Sequence, residues 1–152
     1  MRSKSSWLVL VLLAGVGIPV HAFAPDEHAT NPEEIAALEA RIQDAPAREQ
    51  CFLYAQLIHQ MTELTIRQYS SGNTDNAEAM LTHIRQIAHK LHVSMSDNDK
   101  RLKNAEILLR HTAFRLSEML HASSYEDRPL VEQTLAQVNE VDSEAMMQVL
   151  KK

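Results

Sequence analysis

The sequence predicts an all-α protein: an up-down antiparallel helical bundle of four main helices plus a short N-terminal helix, after a signal peptide. Glycine is scarce. Two of the three glycines precede residue 22, so Gly72 alone interrupts the rest of the chain. Good helix formers (Ala, Leu, Gln, Glu and Met) dominate after residue 22, where runs of β-branched residues are absent. Apolar residues also recur alternately three and four positions apart, which is the spacing of one helix face.

Residues 1–22 have the organisation of a secretory signal peptide. Arg2 and Lys4 give a positive start, and the apolar run 7–18 is too short to span a bilayer comfortably. Small side chains then precede a predicted cut after Ala22. We therefore expect an exported protein, periplasmic or secreted, with no stable membrane span after signal cleavage.

A short first helix is expected after a disordered leader. Residues 23–30 are polar and show no periodicity, which is typical of a disordered segment, so the helical bundle domain is assigned to residues 31–150. Asn31 is a good N-cap, Pro32 suits the first helical position, and two glutamates follow in the first turn. The helix is predicted over 32–43. Its apolar face comprises Ile35, Leu38 and Ile42.

The second and third helices are predicted over 46–70 and 74–95. Gly72 lies between them and can adopt the left-handed conformation that ends many helices. The apolar seam of the second helix comprises Cys51, Tyr54, Ile58, Met61 and Thr65. The seam of the third comprises Ala77, Leu81, Ile84, Ala88, Leu91 and Met95.

The fourth helix is predicted over 98–122, and a fifth runs from Asp127 toward Val149, either straight or kinked near Asp142. Short connections favour antiparallel neighbours, and seams with this spacing favour near-parallel packing. An array of helical repeats is the alternative, but no second copy occurs at a spacing of about 34 residues. The fourth seam comprises Leu102, Ala105, Leu109, Thr112, Leu116 and Met119, and the fifth Val131, Thr134, Val138 and Val141.

The charge balance disfavours nucleic acid as a partner. The chain carries 15 basic against 20 acidic residues, and nucleic-acid binders need clustered Lys and Arg. Basic residues concentrate in residues 85–115 and acidic ones in residues 26–49. Our interpretation is that these segments complement each other within the fold, with a partner-facing basic patch as the alternative.

Cys51 is the only cysteine, so an internal disulfide is excluded. Its apolar neighbours Phe52 and Leu53 favour burial of the thiol. Pairing with a cysteine of another molecule is the alternative.

One group of side chains suggests metal binding. His89 and His92 are three positions apart and Met95 follows after three more, so the three share one helix face. Imidazole with thioether suits copper, and imidazole also suits zinc. The alternative function is therefore a periplasmic metal-handling bundle that binds copper or zinc at His89, His92 and Met95. His83 or His59 would supply a further ligand. The competing interpretation is a boundary histidine pair beside a core methionine.

Signals for catalysis are weak. The chain lacks a Gly-rich phosphate loop, a Gly-x-Ser-x-Gly elbow and a His-Glu-x-x-His motif. Glu118 and His121 form a single Glu-x-x-His element, whereas di-iron bundles need two. The spacing of His59 with Glu63, and of His111 with Arg115, is that of pairs along one helix surface.

Several leucines exceed the two core positions per heptad that a simple bundle needs. They pack a fifth element or form a dimer face, and we favour internal burial. The expected function is an exported, non-enzymatic binding or scaffolding module with an unknown protein partner, and self-association is one form of such binding. These additional leucines are Leu53, Leu57, Leu64, Leu108 and Leu120.

Overall fold

The computed structural model describes residues 30–96 and 99–151. Within them the chain forms five α-helices and no β-strand, which confirms the all-α prediction. The predicted signal peptide, and the leader up to residue 29, lie outside the described residues. The helices are α1 (Pro32–Asp44), α2 (Ala47–Ser70), α3 (Thr74–Ser94), α4 (Leu102–Ala122) and α5 (Arg128–Leu150).

Local sequence signals set the start of α1 and the turn between α2 and α3. Asn31 caps α1, since its side-chain oxygen accepts a hydrogen bond of 2.8 Å from the Glu34 backbone N–H. Gly72 has a φ of 81°, and its N–H donates to the Tyr69 carbonyl at 3.0 Å. A side chain at this left-handed position would strain the backbone, so glycine makes the tight α2–α3 turn accessible.

The fourth helix begins four residues later than the predicted position 98. Asp99 accepts a hydrogen bond of 2.7 Å from the Ser96 N–H, and Arg101 adopts a φ of 58°, in the left-handed region. Because that conformation cannot continue into a right-handed helix, α4 starts at Leu102. The Lys100 N–H donates to the Arg48 carbonyl at 2.8 Å, which ties this connection to the start of α2.

The helices pack as two hairpins side by side. α2 contacts α3 and α4, while α5 contacts α4 and α3, so α3 and α4 occupy diagonal corners. His59 on α2 lies beside Thr112 on α4, and Glu63, one turn later, lies beside Arg115. Positions advance together along both helices, so α2 and α4 run in the same direction.

The other pair of helices shows the same relation. Arg85 on α3 donates to Gln133 on α5 at 3.0 Å, and His92 lies 2.6 Å from Glu144 further along. α3 and α5 therefore also run in the same direction. The end of α3 and the start of α4 therefore lie at the same end of the bundle but at diagonal corners.

The predicted seams form the core. Every seam residue of α4 and α5 is buried, and in α2 and α3 only Tyr54 and Met95 are half-buried. Cys51 is fully buried, as its apolar neighbours predicted. α1 packs on α2. Internal burial is confirmed for three of the additional leucines, and the other two, Leu108 and Leu120, are half-buried against the core: Leu53, Leu57 and Leu64 are the buried ones. Among the described helices, none is both long and apolar enough to cross a membrane.

Two neighbouring positions on α4 test this assignment of the core. Leu109 is fully buried, whereas Ile107 is 53% exposed. Leu109→Ala should lower the free energy of unfolding by about 2–5 kcal/mol because it leaves a cavity. Ile107→Ala should change it by no more than about 0.5 kcal/mol. Urea denaturation of both variants measures the difference, and equal losses would contradict the packing described.

Candidate functional site

The predicted metal face lies at the end of α3. His89 and His92 are exposed and their ring centroids are 6.5 Å apart, while Met95 packs against the core just beyond the helix. The His92 Nδ1 lies 2.6 Å from the Glu144 carboxylate of α5. Across residues 30–96 and 99–151, no three His, Cys, Asp or Glu side chains come together in a way that could hold an ion.

The two further candidate ligands face other helices. His83 Nε2 lies 3.1 Å from the Glu39 carboxylate of α1. His59 lies against α4. His83 thus contacts α1 and His59 contacts α4, whereas His92 contacts Glu144 on α5.

Cys51 is protected from reaction in the folded protein. Burial raises the pKa of its thiol to about 12, and the neighbouring Asp99 carboxylate adds to the effect. The reactive thiolate is therefore absent at neutral pH. Because no part of the residue is exposed, pairing with another molecule would require α2 to open.

The densest charged cluster joins α2 and α4. The Arg115 guanidinium donates to both oxygens of Glu63, at 2.8 and 3.1 Å, and to Glu118 at 2.6 Å. Burial alone would raise the pKa of the Glu63 carboxyl, but the Arg115 hydrogen bonds and charge lower it on balance. The same hydrogen bonds raise the pKa of Arg115 above its ordinary value. Spacing along the helix predicted that Glu63 pairs with His59, whereas its main partner is Arg115 on the neighbouring helix α4.

Next to this cluster, the surroundings of His59 fix its tautomer. The Thr112 hydroxyl donates to the Leu108 carbonyl at 2.8 Å, so it can only accept from His59 Nδ1, at 3.1 Å. His59 therefore carries its proton on Nδ1. Burial lowers the pKa of this imidazole, and nearby His111 and Arg115 lower it further against the opposing charge of Glu63.

An apolar stripe runs along the outer face of α4. Ile107 is 53% exposed and Phe114 is 60% exposed; being seven positions apart, they lie on the same side of the helix. His111 lies between them and is exposed. Its ring centroid is 5.1 Å from that of His59. We call this surface, with Lys103 and Glu118 at its two ends, the outer α4 face.

A shallow cavity of about 330 Å³ adjoins the outer α4 face. The Arg101 guanidinium lies 3.5 Å from the centroid of the Phe52 ring, which fixes one wall. The opposite wall is α4 itself. The cavity is lined by Phe52, Arg101, Asn104, Ile107, Leu108 and His111.

The outer α4 face was not predicted, although the sequence carries a signal for it. Ile107 and Phe114 fall on the side of α4 opposite the seam, at a spacing of two turns.

In comparisons with known proteins, no family model, no curated protein and no solved structure matches this chain. The arrangement itself is therefore the basis for inferring function: a charged clamp between two helices beside an exposed apolar stripe.

The lowered pKa of His59 makes stability depend on pH. As pH falls below about 6.5, the unfolded chain takes up a proton at this position before the folded chain does. The free energy of unfolding should therefore fall with acidification through this range. His59→Gln, which cannot titrate, should flatten that slope in urea denaturation between pH 7 and pH 5.

Thr112→Val separates the effect of burying the His59 ring from the effect of its hydrogen bond to Thr112. It removes the hydrogen bond to His59 but leaves the ring buried, so the slope should persist while stability drops at every pH. If His59→Gln retained the full slope of the original protein, the burial of this imidazole would not control the pH dependence.

Proposed function

We propose that this chain is an exported, non-enzymatic helical-bundle module, periplasmic or secreted, that binds another protein through its outer α4 face. The observation that carries the proposal is the exposure of Ile107 and Phe114 on one side of α4. Large apolar side chains exposed on one side of a helix, with charged residues at the rim, are found at protein interaction sites. The signal-peptide pattern of residues 1–22 supports export.

The bundle supplies a scaffold for that face. We infer an up-down order of the four main helices from the short connections 71–73 and 123–127 and from the pairing of α2 with α4. The pair of Arg115 on α4 with Glu63 on α2 holds the two helices together close to Phe114, and Glu118 on α4 orients the guanidinium. A binding surface on a fixed helix loses little conformational entropy when it meets its partner.

The state of the reactive groups favours binding over catalysis. Arg115 is engaged by two carboxylates, so it is not free to stabilise a developing negative charge. Cys51 is protonated and buried. General acid or base catalysis requires a titrating group within reach of a substrate pocket, and the cavity beside α4 is shallow.

Internal pairing of the basic residues supports a partner other than nucleic acid. Lys100 lies 3.0 Å from Glu49, and Arg110 pairs with Glu106 one turn away on α4. Arg115 is neutralised by its clamp. A phosphate backbone would have to displace these carboxylates before it could be bound.

Metal handling is the second candidate function. The specific observation that favours it is the contact of His92 Nδ1 with Glu144 at 2.6 Å. Metal-bound histidines commonly donate one ring N–H to a carboxylate, which orients the other nitrogen toward the ion. His92 would then present Nε2 for copper or zinc, with His89 and Met95 as the neighbouring ligands.

Site-specific photo-crosslinking tests the binding proposal. A photoreactive amino acid replaces Phe114 in the full chain, expressed in a bacterium with its own N-terminal segment. We expect a cross-linked product of higher mass on illumination, because this position lies in the contact. The same replacement at Val93, which is 71% exposed on α3, is the matched control and should give none. Equal cross-linking at both positions, or none at Phe114, would refute the proposed surface.

Thermal unfolding with excess copper or zinc tests the second candidate. A ligand that binds only the folded state at 100 times its dissociation constant adds about 2.7 kcal/mol. The Tm should then rise by roughly 5 °C or more in a domain of this size. Combined His89→Ala and His92→Ala substitutions should abolish the rise, while His121→Ala should not. A rise that survives the double substitution would rule out this metal face.

A further inference from the structure

We propose that the partner of the outer α4 face is a second copy of this chain, docked with its α4 antiparallel to the first across a two-fold axis. This inference rests on the proposed binding function and names the partner. A C2 dimer requires a surface that is complementary to itself. The outer α4 face meets that requirement in its apolar residues, its charges and its shape.

The apolar residues are placed symmetrically. Ile107 and Phe114 are equally distant from a point on α4 between Arg110 and His111. A two-fold axis that lies between the two α4 helices at the level of that point, perpendicular to both, sets Ile107 of one copy opposite Phe114 of the other, and the reverse. The two contacts lie about 10 Å apart along the helix, since seven residues rise 1.5 Å each.

The charges at the ends of the face follow the same symmetry. Lys103 lies four positions before Ile107, and Glu118 lies four positions after Phe114. The two-fold axis therefore sets Lys103 opposite Glu118 of the second copy at both ends. Glu118 pairs with Arg115 of its own copy but its side chain stays 48% exposed, so Lys103 would add a second cation beside the same carboxylate. Parallel docking would instead bring each lysine beside its own equivalent, which is unfavourable, and would align the two helix dipoles.

The surface beside Ile107 has room for the opposing aromatic ring. The cavity of about 330 Å³ is lined by Phe52, Ile107 and His111, among others. Because Phe114 of the second copy lies opposite Ile107, its ring is positioned to enter this cavity, beside the Arg101 guanidinium that covers one face of the Phe52 ring. Buried aromatic side chains in such pockets typically dominate the energetics of protein interfaces.

Sedimentation velocity of the full chain, purified as the cell processes it, is the first test. We expect a monomer–dimer equilibrium at protein concentrations up to about 100 µM, a range that detects weak association. Ile107→Asp and Phe114→Asp should each raise the dimer dissociation constant at least about tenfold. Val93→Asp, an equal change at an exposed valine on α3, should leave it unchanged. A chain that stays monomeric throughout would overturn the proposal.

Engineered cysteines test the orientation. Cys51 is fully buried, so an added surface cysteine is the accessible thiol. Under mild oxidation, His111→Cys should link two copies because this position lies near the axis. Lys103→Cys alone should not link, but a mixture of Lys103→Cys and Glu118→Cys chains should. Self-linkage of Lys103→Cys, with no linkage in the mixture, would overturn the antiparallel arrangement.

The results of photo-crosslinking and sedimentation together distinguish the second-copy proposal from the proposed binding function of the outer α4 face. If the purified chain is monomeric but photo-crosslinking at Phe114 captures a different protein, the second-copy proposal fails and the binding function stands. If Phe114 yields no product and the chain is monomeric, both fail. A cross-linked product with twice the mass of the chain, abolished by Ile107→Asp, supports both.

Discussion

The surface features of this protein depend on the parallel alignment of α2 with α4. The second hairpin begins beside the start of α2, where the Lys100 N–H donates to the Arg48 carbonyl. The Arg115 clamp with Glu63 then fixes the axial register of the two helices further along. Because charged hydrogen bonds with two-point geometry are strong and directional, a shift by one turn would break them.

Helical periodicity predicted which residues are buried, but it could not predict which helices become neighbours. Every residue predicted in the seams of α4 and α5 is buried, including Thr112 and Thr134, because burial on a helix follows its repeat. Glu106, Ala113 and Ala145 are buried as well and were not predicted. Adjacency depends instead on the path of one connection, where the left-handed Arg101 sets the start of α4. The charged clamp beside the outer α4 face was missed for the same reason: Glu63 and Arg115 meet only once α2 and α4 are side by side.

The histidines show how surroundings divide one residue type among different roles. His59 is partly buried, with its tautomer set by Thr112, and its lowered pKa keeps it uncharged at neutral pH. His92 remains exposed and faces a carboxylate, and His111 stands on the outer α4 face. Sequence spacing alone grouped His89 with His92 but gave no indication that His59 and His111 would approach to 5.1 Å between ring centroids.

The complete burial of Cys51 determines when during folding its thiol is accessible to oxidation. In an oxidising compartment, a thiol on a chain that has not yet packed α2 is open to disulfide-forming enzymes, whereas the packed chain conceals it. In a chain exported as proposed above, oxidation of Cys51 would therefore be confined to molecules that have not packed α2. Cys51 forms no cross-link in the folded protein. Its oxidation state would nevertheless distinguish folded molecules from unfolded ones.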